Sequence, residues 1–96
     1  MLHERRIIEI AENVARANLT SARVSGIISE PTVDSQGREA LRITIVIPPG
    51  APAKIKGNAA LDTLVQIQEK LREAGEERFP IVEYATKEEL EESGDS

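Results

Sequence analysis

The chain has 96 residues, a net charge of −5, twelve Lys/Arg against seventeen Asp/Glu, two aromatic residues and no cysteine. That length makes one domain with one small aliphatic core. The missing cysteines exclude disulfides and thiolate metal sites, and the absence of any run near 18 apolar residues argues against a membrane-spanning helix.

Charge is uneven along the chain. Residues 1–68 hold eight basic and seven acidic side chains, whereas residues 69–96 hold four and ten. The N-terminal segment MLHERRIIEIAENVARANL is too charged for a secretory leader, and with no cysteine the expectation is a cytoplasmic protein. Asn18-Leu19-Thr20 spells a glycosylation sequon, which without a leader reads as a chance tripeptide.

The elements follow in order. Ile7, Ile10, Ala11, Val14 and Ala17 recur at three- and four-residue spacing, which predicts a helix over 3–17. Arg5–Glu9 and Glu12–Arg16 stand four apart and are placed to pair. Residues 22–29 read as a strand with weak alternation, ended by Glu30-Pro31. The polar link to Arg38, containing Gly37, reads as a hairpin loop with register set by the strand faces. Glu39 to Pro49, EALRITIVIPP, is the clearest stretch. Leu41, Ile43, Ile45 and Ile47 alternate with Ala40, Arg42, Thr44 and Val46, as in a strand with one face in a core.

Residues 48–57, PPGAPAKIKG, form an irregular loop. A second helix over 59–74 is predicted, with Asn58 as N-cap, a stripe of Leu61, Leu64, Ile67, Leu71 and Ala74 with Val65 beside it, and Gly75 as its terminator. FPIVEYA, residues 79–85, reads as a third strand, and Pro80 places it at an edge. Thr86 and Glu89 match a capping box for a short acidic last helix. The pattern predicts an α+β fold: a two-layer α/β sandwich of order α-β-β-α-β plus a short C-terminal helix, its three-stranded sheet carrying helices on one face. Residues 1–86 form the domain and 87–96 an acidic helix and tail. The third strand can run parallel beside the central strand or antiparallel beside the first. The element order is similar to the type II KH arrangement, though order alone does not give function.

Residues suited to chemistry are few. His3 is the single histidine and sits at the chain start, a poor place for a general base. No G-x-S-x-G elbow is present. The Gly50–Gly57 loop carries Lys54 and Lys56 ahead of a helix, yet its spacing is not that of a P-loop, and it is not the GxxG clamp of KH domains. Glu69, Glu73, Glu76, Glu77, Glu88, Glu89, Glu91 and Glu92 read as solvated acidic faces, since a cation needs converging oxygens. No catalytic residue, metal site or cofactor is expected.

The outer sheet face is the more informative surface. Ala40, Arg42, Thr44 and Val46 point away from the helices, and one face of each neighbouring strand joins them. Arg23, Ser25 and Ile27 are one candidate set, and Val82 and Tyr84 another. A part-apolar, part-basic face of this kind suits a partner. The expectation is a non-enzymatic, bacterial-type accessory or regulatory protein that binds a protein partner or itself through Arg42, Thr44, Val46 and Tyr84, with a homo-oligomer expected. A nucleic-acid-binding module using the basic sheet residues and the Lys54/Lys56 loop is the second reading. The acidic net charge and the scarcity of aromatics count against it. A small-molecule-binding or enzymatic domain is the third.

Overall fold

The computed structural model describes residues 2–19, 23–49 and 57–94. Helix α1 (Glu4–Asn18) is followed by strands β1 (Gly26–Val33) and β2 (Glu39–Ile47), helix α2 (Gly57–Glu73), strand β3 (Phe79–Thr86) and helix α3 (Lys87–Gly94). The order is the one the hydrophobic periods predict. β2 is central, antiparallel to β1 and parallel to β3. Of the two open placements for β3, the chain takes the parallel one. Both edge strands contain a proline, Pro31 and Pro80. An edge strand leaves alternate N–H groups without a ladder partner, so a residue lacking one fits there.

The core joins α1 and α2 to one face of the sheet. Ile7, Ile10, Ala11, Val14 and Ala15 of α1 meet Ile67 and Leu71 of α2 over Leu41, Ile43, Ile45 and Ile47. The buried face of β2 is thus the one its alternation predicts. Each buried isoleucine or leucine contributes about 1.5–3 kcal/mol relative to exposure.

Boundaries differ in instructive places. β1 begins at Gly26, four residues later than predicted, and continues through Pro31 to Val33. Its proline sits opposite Leu41 without ending the strand. The hairpin loop is correspondingly short, and Asp34 organises it. The Asp34 carboxylate accepts the N–H groups of Gln36 (2.8 Å) and Arg38 (2.9 Å) and the Arg38 Nε–H (3.0 Å). The Arg38 backbone bond, foremost, lowers the Asp34 pKa below its ordinary value. Gly37 takes φ +80°, a conformation that disfavours any side chain. Turn chemistry therefore works alongside the strand faces in fixing register. In α1, Arg6 rather than Arg5 pairs with Glu9 (2.6 Å), while Glu12 and Arg16 approach to 3.6 Å as expected. Ala17 is exposed, and Ala15 takes the buried place.

α2 is rolled about its axis relative to the predicted stripe. Its buried residues are Thr63, Ile67 and Leu71, whereas Leu61 is 58% exposed and Val65 is also exposed. Thr63 can be buried because its hydroxyl donates to the Ala59 carbonyl one turn back (2.7 Å). Asn58 lies inside the first turn, not at the cap. Gly75 ends the helix as predicted: it takes φ +100°, its N–H donates to Arg72 O (3.0 Å), and the Glu76 N–H donates to Leu71 O (2.9 Å). These two bonds form a Schellman motif, in which a left-handed residue turns the chain away.

The next residues fasten the N-terminus. Glu76 has a fully buried side chain. Its carboxylate accepts the Leu2 N–H (2.9 Å), the Arg78 N–H (3.0 Å) and two guanidinium N–H groups of Arg78 (2.9 and 3.1 Å). At the other end, the predicted capping box is formed: Thr86 N–H donates to Glu89 Oε1 (2.9 Å) and Glu89 N–H donates to Thr86 Oγ1 (3.2 Å).

Candidate docking face

Cross-strand partners share a face, so the register defines the surface opposite the helices. Gly26, Ile28, Glu30 and Thr32 of β1 lie opposite Val46, Thr44, Arg42 and Ala40 of β2. Phe79, Ile81, Glu83 and Ala85 of β3 flank the same four β2 residues on the other side. In rows across the sheet these are Thr32–Ala40–Phe79, Glu30–Arg42–Ile81, Ile28–Thr44–Glu83 and Gly26–Val46–Ala85.

Three of the four residues expected on this face are there: Arg42, Thr44 and Val46. Tyr84 is not. It is opposite Ile45 and packs, with Val82 and Ile27, against the core under the helices. Ser25 precedes the strand, its N–H donating to Val46 O (2.7 Å), and Arg23 is exposed ahead of it. The physical reason is parity. FPIVEYA is apolar at both odd and even positions, so a two-residue period does not choose its inner face. Glu83 and Glu30 hold the missing signal. A carboxylate is costly beneath two apolar helices, which forces Phe79, Ile81, Glu83 and Ala85 outward together, and likewise Ile28 with Glu30.

The face is apolar in patches and polar at its centre. Phe79 is 57% exposed, and Ile28 and Ile81 are also exposed. Thr44 is only 2% exposed and Ala40 is fully buried. Both are small and sit between longer side chains on the flanking strands. The Thr44 hydroxyl donates to Glu83 Oε1 (3.0 Å), which draws that carboxylate over β2. Thr44 is therefore a built-in part of the face and not the freely exposed position its alternation suggests. Arg42 is exposed and takes part in none of the ion pairs among the described residues. The strand residues of the face hold one arginine and two glutamates.

Other places were expected to matter less. The His3 carbonyl accepts the N–H groups of Arg6 (3.0 Å) and Ile7 (3.1 Å), and the imidazole is exposed at the start of α1. Among the described residues no group of three or more acidic or histidine side chains is arranged to hold a metal ion. Lys54 and Lys56 lie outside the described residues. An open groove of about 520 Å³ runs between α1 and α2, with Ile10 and Val14 beneath Arg6, Asn13, Gln66 and Lys70. Under the helices, the Tyr84 hydroxyl is buried and has no hydrogen-bond partner among the described residues. Burial raises its pKa. No described helix is long and apolar enough to cross a membrane. Comparison with protein-family models, with curated proteins and with solved structures finds no match for this chain.

Proposed function

We propose that this is a non-enzymatic, cytoplasmic interaction protein, an accessory or regulatory subunit that docks a protein through the sheet face opposite its helices. The observation that carries this reading is the exposed Ile28–Phe79–Ile81 surface around Arg42. Exposed aromatic and aliphatic side chains around an arginine suit a protein–protein contact, where aromatics and arginine are enriched over the rest of a protein surface. The same face argues against nucleic acid as the partner. Phosphate binding draws its affinity from several cations, and here two carboxylates outnumber one arginine.

A photo-crosslinking residue in place of Phe79, compared with one in place of Leu61 on α2, tests the reading in the cells that make the protein. Both positions are exposed to a similar extent, 57% and 58%. Protein adducts at position 79 and not at 61 are expected. Adducts at 61 alone, or at neither, would remove the sheet face as the docking surface.

A further inference from the structure

Resting on that reading of the sheet face, we propose that the partner seated on it is a second copy of this chain. The two copies stack face to face about a two-fold axis that crosses the strands between the Arg42 and Thr44 rows.

The argument comes from the register. A two-fold axis in that position reverses the row order, so each row meets a different row of the other copy. Thr32–Ala40–Phe79 meets Gly26–Val46–Ala85, and Glu30–Arg42–Ile81 meets Ile28–Thr44–Glu83. In the first pairing every side chain meets one of different size: Phe79 meets alanine, Ala40 meets valine and Thr32 meets glycine. Alternation of large with small is what lets two sheets interdigitate. In the second pairing Arg42 lies across from Thr44, onto which Glu83 is drawn by its 3.0 Å hydrogen bond. The arginine that takes part in none of the ion pairs among the described residues thus meets a carboxylate held in place for it. An axis along the strands instead sets Arg42 against Arg42, a like-charge contact. The first orientation matches sizes in the end rows and gives Arg42 a carboxylate, with Glu30 and Glu83 against isoleucines at the outer strands, whereas the second sets like charges together at the centre, so an isologous contact takes the first.

Size sets the strength. Three strands about 4.8 Å apart and about 27 Å long present roughly 400 Å² per copy before the side chains at the margins are added. That is about half the usual area per partner of a stable specific interface, so the association is weak and reversible.

Sedimentation velocity of the full chain from about 20 µM to about 1 mM is the test, a range suited to a weak contact. The wild type is expected to move from monomer towards dimer. Arg42→Glu alone and Glu83→Arg alone are expected to weaken association at least about tenfold, and the double variant to recover most of it. Circular dichroism establishes that each variant is folded. Ala85→Phe, which sets ring against ring without altering charge, is expected to weaken association as well and serves if a charge variant does not fold. A wild type that stays monomeric across the range, or a double variant no better than either single one, would overturn the proposal. The adduct formed at position 79 separates this failure from failure of the reading beneath it. An adduct of twice the chain mass supports the second copy. An adduct with a different protein keeps the docking face and overturns the second copy, and no adduct removes both.

Discussion

The Thr44 hydroxyl donates to Glu83 Oε1 across the β2–β3 pair at 3.0 Å. This bond satisfies a threonine that is otherwise closed off from solvent, and it holds a carboxylate over the central strand in the row next to that of Arg42. Thr44→Glu is therefore not a mild surface change. It removes the donor and forces a second carboxylate against Glu83, at a cost of about 2–4 kcal/mol. Thr44→Val, which keeps the shape, is expected to cost about 1 kcal/mol. Urea midpoints of the two variants give the comparison, and equal midpoints would show that Thr44 is freely solvated.

Ile45 is fully buried, with Ile27 and Tyr84 as its cross-strand neighbours on the helix face. Ile45→Asp places an unpaired carboxylate in the middle of the core. The cost of several kcal/mol is comparable to the whole stability of a small domain, about 5–10 kcal/mol. Loss of a cooperative thermal transition is the expected result. A folded variant would mean that the two faces of β2 are exchanged.

The Glu76 carboxyl is held down to about 2, chiefly by the Arg78 side chain and further by the Leu2 and Arg78 N–H groups, against the opposing effect of burial. A depressed carboxyl pKa stabilises the fold above its ordinary value of 4.5 and loses that contribution as pH falls from there towards 2. After allowance for solvent around the guanidinium, the contribution is about 1–2 kcal/mol at neutral pH. Glu76→Gln is expected to lower stability by about that amount at pH 7, with the gap to wild type closing on acidification. Chemical denaturation of both proteins at pH 7 and at about pH 3 checks this: the gap is expected to shrink to roughly half or less at the lower pH, and a gap of undiminished width would contradict it.

Removal of residues 87–96 is expected to leave the domain folded. α3 follows β3 directly and supplies one partly buried apolar side chain, Leu90. Its capping box is local to Thr86 and Glu89, so its loss costs little beyond the helix itself. Far-ultraviolet circular dichroism of the truncated chain should retain the signal of α1, α2 and the sheet. An unfolded product would assign α3 to the core.

The sequence was legible where one physical signal dominated. β2 alternates cleanly because helices cover one face only, and Gly75 stands where a left-handed turn is needed, so both were readable. It was less legible where two signals compete. In α2, Leu61 and Val65 suit a core by hydrophobicity, yet the small residues Ala59 and Thr63 allow closer approach to the sheet, and the helix turns that side inward. In β3, both parities are apolar, so only the carboxylate of Glu83 indicates which side faces out. Pro31 reads as a stop, but stopping depends on the strand being internal, and edge position is a tertiary fact. The Glu76–Arg78–Leu2 fastening joins positions 74 residues apart and leaves no local trace.

The most direct measurement of the central claim is residue-resolved methyl NMR of the purified chain as its concentration rises from about 20 µM to about 1 mM, the range over which a small interface assembles. The account predicts that the methyl resonances of Ile28, Val46 and Ile81 shift progressively, while those of Leu61 and Val65 on α2 stay fixed. Shifts at Leu61 and Val65 with Ile28 and Ile81 unmoved would contradict it and place the contact on the helix.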